Sequence, residues 1–134
     1  MYRYTLGFIK RKNEILLVNR QKAPWLGSWN GLGGKRLKDE SPVDCILREI
    51  HEETDITVSK DQVKARGYLT WNTFDSLGKG LYLFLIEVAD DFSYPTPIQT
   101  PEGILDWKTI DWVMDPDNYG VAHNMPYFIK YDCN

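Results

Sequence analysis

With 134 residues, 43% hydrophobic and 26% charged, the chain has the length and balance of one water-soluble domain spanning 1–134. A net charge of −3 argues against a nucleic-acid polymer as partner. No apolar run is long enough for a membrane span or a signal segment, so no membrane association is expected. The two cysteines, Cys45 and Cys133, lack metal or disulfide spacing, which fits a reducing compartment and makes the cytoplasm the expected location.

In chain order, Tyr2 to Lys10 and Glu14 to Gln21 have the composition of strands, with Lys12-Asn13 as the turn between them. Lys22 to Asn30 carries Pro and Gly and is expected as a loop that continues through Gly31–Gly34 into a short strand near Lys35–Leu37. A helix then opens with Ser41 as N-cap, Pro42 at its first position and Asp44 three residues after the cap, and ends near Thr54. Val63 to Phe74 and Gly80 to Val88 are expected as long strands around a turn at Ser76–Gly78. Residues 89–101 are expected as a loop, Ile104 to Trp107 as a short strand and Thr109 to Met114 as a helical turn. Asp115–Asn118 is expected as a loop, and 121–131 as a last helix limited by Pro126. Mixed strands with few helices indicate an α+β layered fold.

The helix carries the chemistry. Val43, Ile46, Leu47 and Ile50 recur at i, i+3, i+4, i+7 and form an apolar stripe. Glu49, Glu52 and Glu53 fall within an arc of roughly 100° beside that stripe. Like charges at i, i+4, such as Glu49 and Glu53, weaken a helix by about 0.2–0.5 kcal/mol, so a merely solvated face would alternate signs. Three carboxylates on one flank make a place for a hard cation, Mg²⁺ or Mn²⁺, of the kind that works with phosphates. The competing explanation is an ordinary acidic surface helix. Neither His51 nor His123 has motif context, and both are expected as packed or surface residues.

The register of this segment resembles the Nudix hydrolase pattern G-x5-E-x7-R-E-U-x-E-E-x-G-U, with U a bulky aliphatic. Gly34, Glu40, Arg48, Glu49, Ile50, Glu52, Glu53 and Ile56 match in place, and Asp55 alone departs, standing where the pattern has glycine. Asp is among the few residues that tolerate the left-handed conformation expected there. The resemblance implies a Nudix α/β/α sandwich with a mixed sheet, phosphoanhydride hydrolysis and a nucleotide substrate, in a monomer or homodimer. It further implies Glu49 and Glu53 as metal ligands, Glu52 as ligand or base, the Gly34 carbonyl as a further ligand, Arg48 as a residue orienting the carboxylates, and Glu40 as a buttress of the preceding loop. Gly33 and Lys35 would approach the phosphates.

Trp29-Asn30-Gly31-Leu32-Gly33-Gly34-Lys35 is similar to the W-N-G-F-G-G-K of MutT-like oxidised purine nucleoside triphosphatases, and Tyr4-Thr5-Leu6 to their Y-T-L. That likeness implies a base edge read by Asn30, with Thr5 and Arg20 lining the pocket, and Glu102 as a further metal-binding or catalytic acid. Met114-Asp115-Pro116-Asp117-Asn118 falls on their M-W-P-D-D, where the acids bind the base and the tryptophan stacks on it. Here Asp117 remains, Asn118 replaces the second acid and Asp115 replaces the tryptophan, a loss of stacking of about 1–3 kcal/mol unless Trp25, Trp112 or Tyr119 supplies another face.

Overall fold

The computed structural model describes residues 2–21, 27–70, 80–118 and 120. Tyr4–Arg11 (β1) and Glu14–Arg20 (β2), rich in strand-forming apolar residues buried on both faces, form an antiparallel hairpin through Lys12, whose φ of 58° supplies the tight turn. Gly80–Val88 (β5) lies parallel to β1 along its whole length, Tyr4 beside Leu81 and Arg11 beside Val88. Val63–Thr70 (β4) pairs antiparallel with β5, and Gly103–Thr109 (β7) pairs antiparallel with β2. Ile98–Thr100 (β6) closes the far edge, while Trp29–Asn30 (β3) pairs with β2 beside the main path β4-β5-β1-β2-β7-β6.

The strand alternation splits the apolar residues between two faces. Ile9, Leu16, Val18, Phe84, Ile86 and Leu105 pack with Ile46 and Ile50 of the helix Pro42–Thr54 (α1). Phe8, Ile15, Leu17, Leu83 and Leu85 pack with Val113 of the short helix Ile110–Met114 (α2) on the other. The result is the expected mixed sheet between helical layers. Ile46 and Ile50 are fully buried and anchor α1, and trimming either to alanine costs about 2–5 kcal/mol.

Three expectations change. The strand near Lys35–Leu37 is reduced to single bridges, Leu32 to Gly7 and Lys35 to Tyr4, because Gly33, with φ 138°, breaks the extended backbone between them. Trp29–Asn30 and Ile98–Thr100, both inside expected loops, are short strands because β2 and β7 each offer a free edge. A 3₁₀ turn at Lys60–Gln62, unanticipated, precedes β4. The strand expected to reach Phe74 is described as far as Thr70, and the turn at 76–78 and the last helix at 121–131 lie outside the described residues.

Candidate active site

The site is built on α1. Ser41 Oγ accepts the Asp44 N–H at 3.1 Å, and Pro42 fits the first helical position, whose N–H needs no partner. The helix ends in Asp55, which takes the left-handed conformation (φ 63°, ψ 13°) and donates its N–H to the His51 carbonyl at 2.8 Å. The aspartate therefore performs the stop that the glycine of the pattern would perform, and the loop geometry is kept.

Arg48 organises the acids. Its Nε and Nη2 grip the Glu40 carboxylate at 2.8 and 3.0 Å in a bidentate pair, while Nη1 reaches Glu49 at 3.0 Å and Glu52 at 3.2 Å. Nη2 also donates to the Lys35 carbonyl at 3.1 Å, which ties the glycine segment to the helix. The Arg48 hydrogen bonds hold the Glu40 carboxyl down at about 2, and in return Glu40 raises the guanidinium further above its ordinary value. Glu40 thereby ties the loop ahead of the helix to Arg48, and Arg48 contacts three carboxylates at once.

Glu53 has the opposite environment. Burial comes first, followed by the neighbouring Glu49 and the charge of Glu102; together these push its carboxyl well above the usual range, against a single backbone N–H from Gly33 at 3.3 Å. Two glycines permit this packing. Gly33 has φ 138°, and a Cβ there would lie 2.2 Å from the Thr5 carbonyl oxygen; a Cβ on Gly34 would lie 2.6 Å from Glu49 Oε1.

Glu49, Glu52 and Glu53 of α1, Glu102, Gly33, Gly34 and Arg20 line one cavity of about 310 Å³. Glu102 comes from the turn between β6 and β7, where Thr100 Oγ1 accepts the N–H groups of Glu102 and Gly103, both at 3.2 Å. Thr100 and Pro101 line the cavity too and were not anticipated; the Thr-Pro-Glu-Gly composition signals the turn but not its destination. A roomier concavity of about 530 Å³ beside Thr54–Thr57 and Tyr94 offers one carboxylate, Asp55, so acid density rather than volume marks the site.

The donor set suits a hard divalent cation, whose charge would offset the crowding of Glu49, Glu53 and Glu102. Among the described residues no group of three or more Asp, Glu, His or Cys side chains stands close enough together to form a ready-made metal site. The Gly34 carbonyl, expected as a ligand, accepts the Thr5 N–H at 2.8 Å and is also approached by Thr5 Oγ1 at 3.3 Å and Cys45 Sγ at 3.9 Å, so its acceptor capacity is taken up within the protein.

The remaining expected residues divide. Arg20 lines the acid cavity, its Nε buried and without a hydrogen-bond partner. Thr5 does not line that cavity: it is 4% exposed beneath α1, with Oγ1 3.3 Å from Cys45 Sγ, because its position in β1 faces the helix. Asn30 accepts the Gly31 N–H on Oδ1 at 2.8 Å. Lys35 is exposed, and Asp117 is exposed at the tip of its loop. Asn118 is committed to that loop, with Nδ2 donating to the Trp112 carbonyl at 2.8 Å and Oδ1 accepting the Gly120 N–H at 2.9 Å. Trp112 meets Trp29 edge to face at 6.5 Å, and Lys108 Nζ lies over both indoles, at 4.6 Å from Trp29 and 5.1 Å from Trp112. Cys45 is buried, and His51 is exposed near Asp55 and Thr57. Trp25, Tyr119, His123 and Cys133 lie outside the described residues.

The family model of the NUDIX domain matches residues 1–129. The chain belongs to the Nudix family. An uncharacterised Nudix hydrolase of Bacillus subtilis is 25% identical over 131 residues, covering 97% of this chain and 80% of that protein. The oxidized purine nucleoside triphosphate hydrolase of Mus musculus is 26% identical over 110 residues, covering 82% of this chain and 67% of the mouse protein. In fold, the NUDIX domain of Shewanella oneidensis NrtR, solved with ADP ribose, matches with a TM-score of 0.72 at 20% identity, covering 98% of this chain and 85% of that one. This Nudix chain is accordingly a hydrolase of a family that uses divalent metal ions and acts on nucleotides. No helix among its described residues is long and apolar enough to cross a membrane.

Proposed function

We propose that this Nudix hydrolase is a Mg²⁺-dependent nucleoside triphosphate pyrophosphohydrolase that cleaves between the α- and β-phosphates, releasing a nucleoside monophosphate and pyrophosphate. The observation that carries the reading is the convergence of Glu49, Glu52, Glu53 and Glu102 on one cavity floored by Gly33 and Gly34. A divalent ion held by Glu49 and Glu53 would neutralise phosphate oxygens and acidify a water molecule.

The protein's own groups supply the rest. Glu49 is fixed by Arg48, and Glu53 is held by the Gly33 N–H, so both carboxylates are oriented before substrate arrives. Glu52, 57% exposed, is the acid of α1 most open to water and orients the attacking molecule or takes its proton. Glu102 is the other acid in reach for that role, from the facing turn. Arg20 faces the same cavity and offers its cation to a phosphate. One water adds to phosphorus, the phosphoanhydride bond breaks, and its electron pair leaves on the pyrophosphate oxygen.

A purine deoxynucleotide, oxidised or not, is the preferred substrate class, supported by the W-N-G-x-G-G-K segment and the mouse relative. Purified protein would be assayed with Mg²⁺ and Mn²⁺ on canonical and oxidised dNTPs beside a Glu53→Gln control. Triphosphate turnover above that control is expected, and none on any triphosphate would end the proposal. A second reading, hydrolysis of ADP-ribose or a dinucleoside polyphosphate, is favoured by Asn118, whose amide is spent within its own loop. Relative kcat/KM across a panel that includes these compounds separates the two.

A further inference from the structure

Arg36 belongs to none of the fixed positions of the Nudix pattern, yet it joins the N-terminal strand to the turn that carries Glu40. Its Nε donates to the Tyr2 carbonyl at 2.7 Å and its Nη1 to the Glu40 carbonyl at 2.5 Å, while its own N–H donates to the Arg3 carbonyl at 2.7 Å. The turn it closes is tight. Asp39 has φ 64°, Glu40 donates its N–H to the Leu37 carbonyl at 3.1 Å, and Leu37 donates its own to Glu40 Oε1 at 3.1 Å. Glu40 in turn holds Arg48 through both carboxylate oxygens, and Arg48 holds Glu49 and Glu52.

These contacts form one unbroken sequence from the Tyr2 carbonyl to the acid cavity. Each link from Arg36 onward involves a charged group, and such hydrogen bonds are short and strongly directional. A lysine at position 36 would keep the charge without the planar fork that serves two carbonyls at once. We propose that Arg36 is a positioning residue of the acid centre, acting through Glu40 and Arg48 on the orientation of Glu49 and Glu52. Resting on the reading of those acids as a metal centre, it assigns to this chain a support that the pattern does not contain.

The test is a double-mutant cycle of Arg36→Met and Glu40→Gln, with Arg36→Lys as the conservative variant. Two readouts are taken: Mn²⁺ affinity of the substrate-free protein by electron paramagnetic resonance, and kcat and KM on the best substrate of the panel. Arg36→Met is expected to weaken Mn²⁺ binding and lower kcat about tenfold with KM nearly unchanged, since small misplacements of catalytic groups act on the chemical step. Arg36→Lys should fall between. In the Glu40→Gln background the Arg36 substitution should add little, because the link it acts through is already cut. A lowered melting temperature with unaltered Mn²⁺ affinity and kcat, or effects that multiply in the double variant, would overturn the proposal. If Arg36→Met does not fold, Arg36→Lys carries the same cycle. Because Mn²⁺ affinity is read without substrate, an absence of turnover in the wild type would defeat the proposed reaction while the Arg36 cycle still returned its own answer.

Discussion

The acid cavity and the loop from Asp115 to Gly120 use polar side chains in opposite ways. In the cavity, Glu49, Glu52, Glu53 and Glu102 point their chemistry at a shared space, and the cost of crowding them is borne by Arg48, Gly33 and the buried anchors of α1. In the loop, Asp115 accepts the Asp117 N–H at 2.9 Å and Asn118 bridges Trp112 to Gly120, so the polar groups hold the loop itself together. A centre that breaks one kind of bond tolerates little change, because misplaced charges are expensive in a partly buried site. A loop that satisfies its own backbone can exchange residues without disturbing the acid cavity.

The comparison breaks first at Glu53. Glu53→Gln should lower turnover by several orders of magnitude while raising the melting temperature of the metal-free protein. The sign follows from burial, which raises the folded carboxyl above its ordinary value of 4.5. The wild type therefore loses stability relative to its unfolded chain as pH rises above 4.5, and glutamine does not. Melting curves should show a gap that widens from pH 5 to about 9 and then levels off; a gap that stays constant across that interval would contradict the burial argument.

Next in size is Gly34→Ala. The added Cβ falls 2.6 Å from Glu49 Oε1, so the carboxylate must move, and kcat/KM should drop about a hundredfold with a smaller change in melting temperature. Retained activity would show that Glu49 need not stand where it does.

Glu40 provides the complementary pH test. Arg48 lowers its carboxyl to about 2, so its contribution is complete above the ordinary value of 4.5 and is lost as pH falls toward 2. The stability difference between wild type and Glu40→Gln should accordingly be largest at neutral pH and shrink across that interval, as acid titrations followed by circular dichroism would register.

The smallest effects belong to the loop. Asn118→Ala removes ties to Trp112 and Gly120, and is expected to raise KM a few-fold while leaving kcat within about twofold, because uniform binding is lost rather than transition-state stabilisation. A collapse of kcat would mean that the loop belongs to the chemistry and that the two regions are not separable.

Much of α1 was legible beforehand because its signals are local: Ser41 caps it, Pro42 starts it, the apolar stripe anchors it, and Asp55 stops it in the conformation anticipated for the glycine of the pattern. Short edge strands were not legible. Trp29–Asn30 and Ile98–Thr100 have little strand signature of their own and exist because β2 and β7 present partners. Thr5 shows what strand parity adds: its position in β1 turns the side chain toward Cys45 beneath the helix, which spacing along the chain does not announce.

The sequence by itself determined which acids stand on one flank of α1, since helical periodicity is a property of spacing alone. It also determined the stop at Asp55 and, through the register of the pattern, the family to which the chain belongs. Only the tertiary structure decided that Glu102 joins those acids from the β6–β7 turn, that Glu53 is half-buried while Glu52 stays open to water, and that Asn118 is bound within its own loop. Burial and convergence depend on which strands pair and which faces are covered, and those contacts join residues that no local spacing relates.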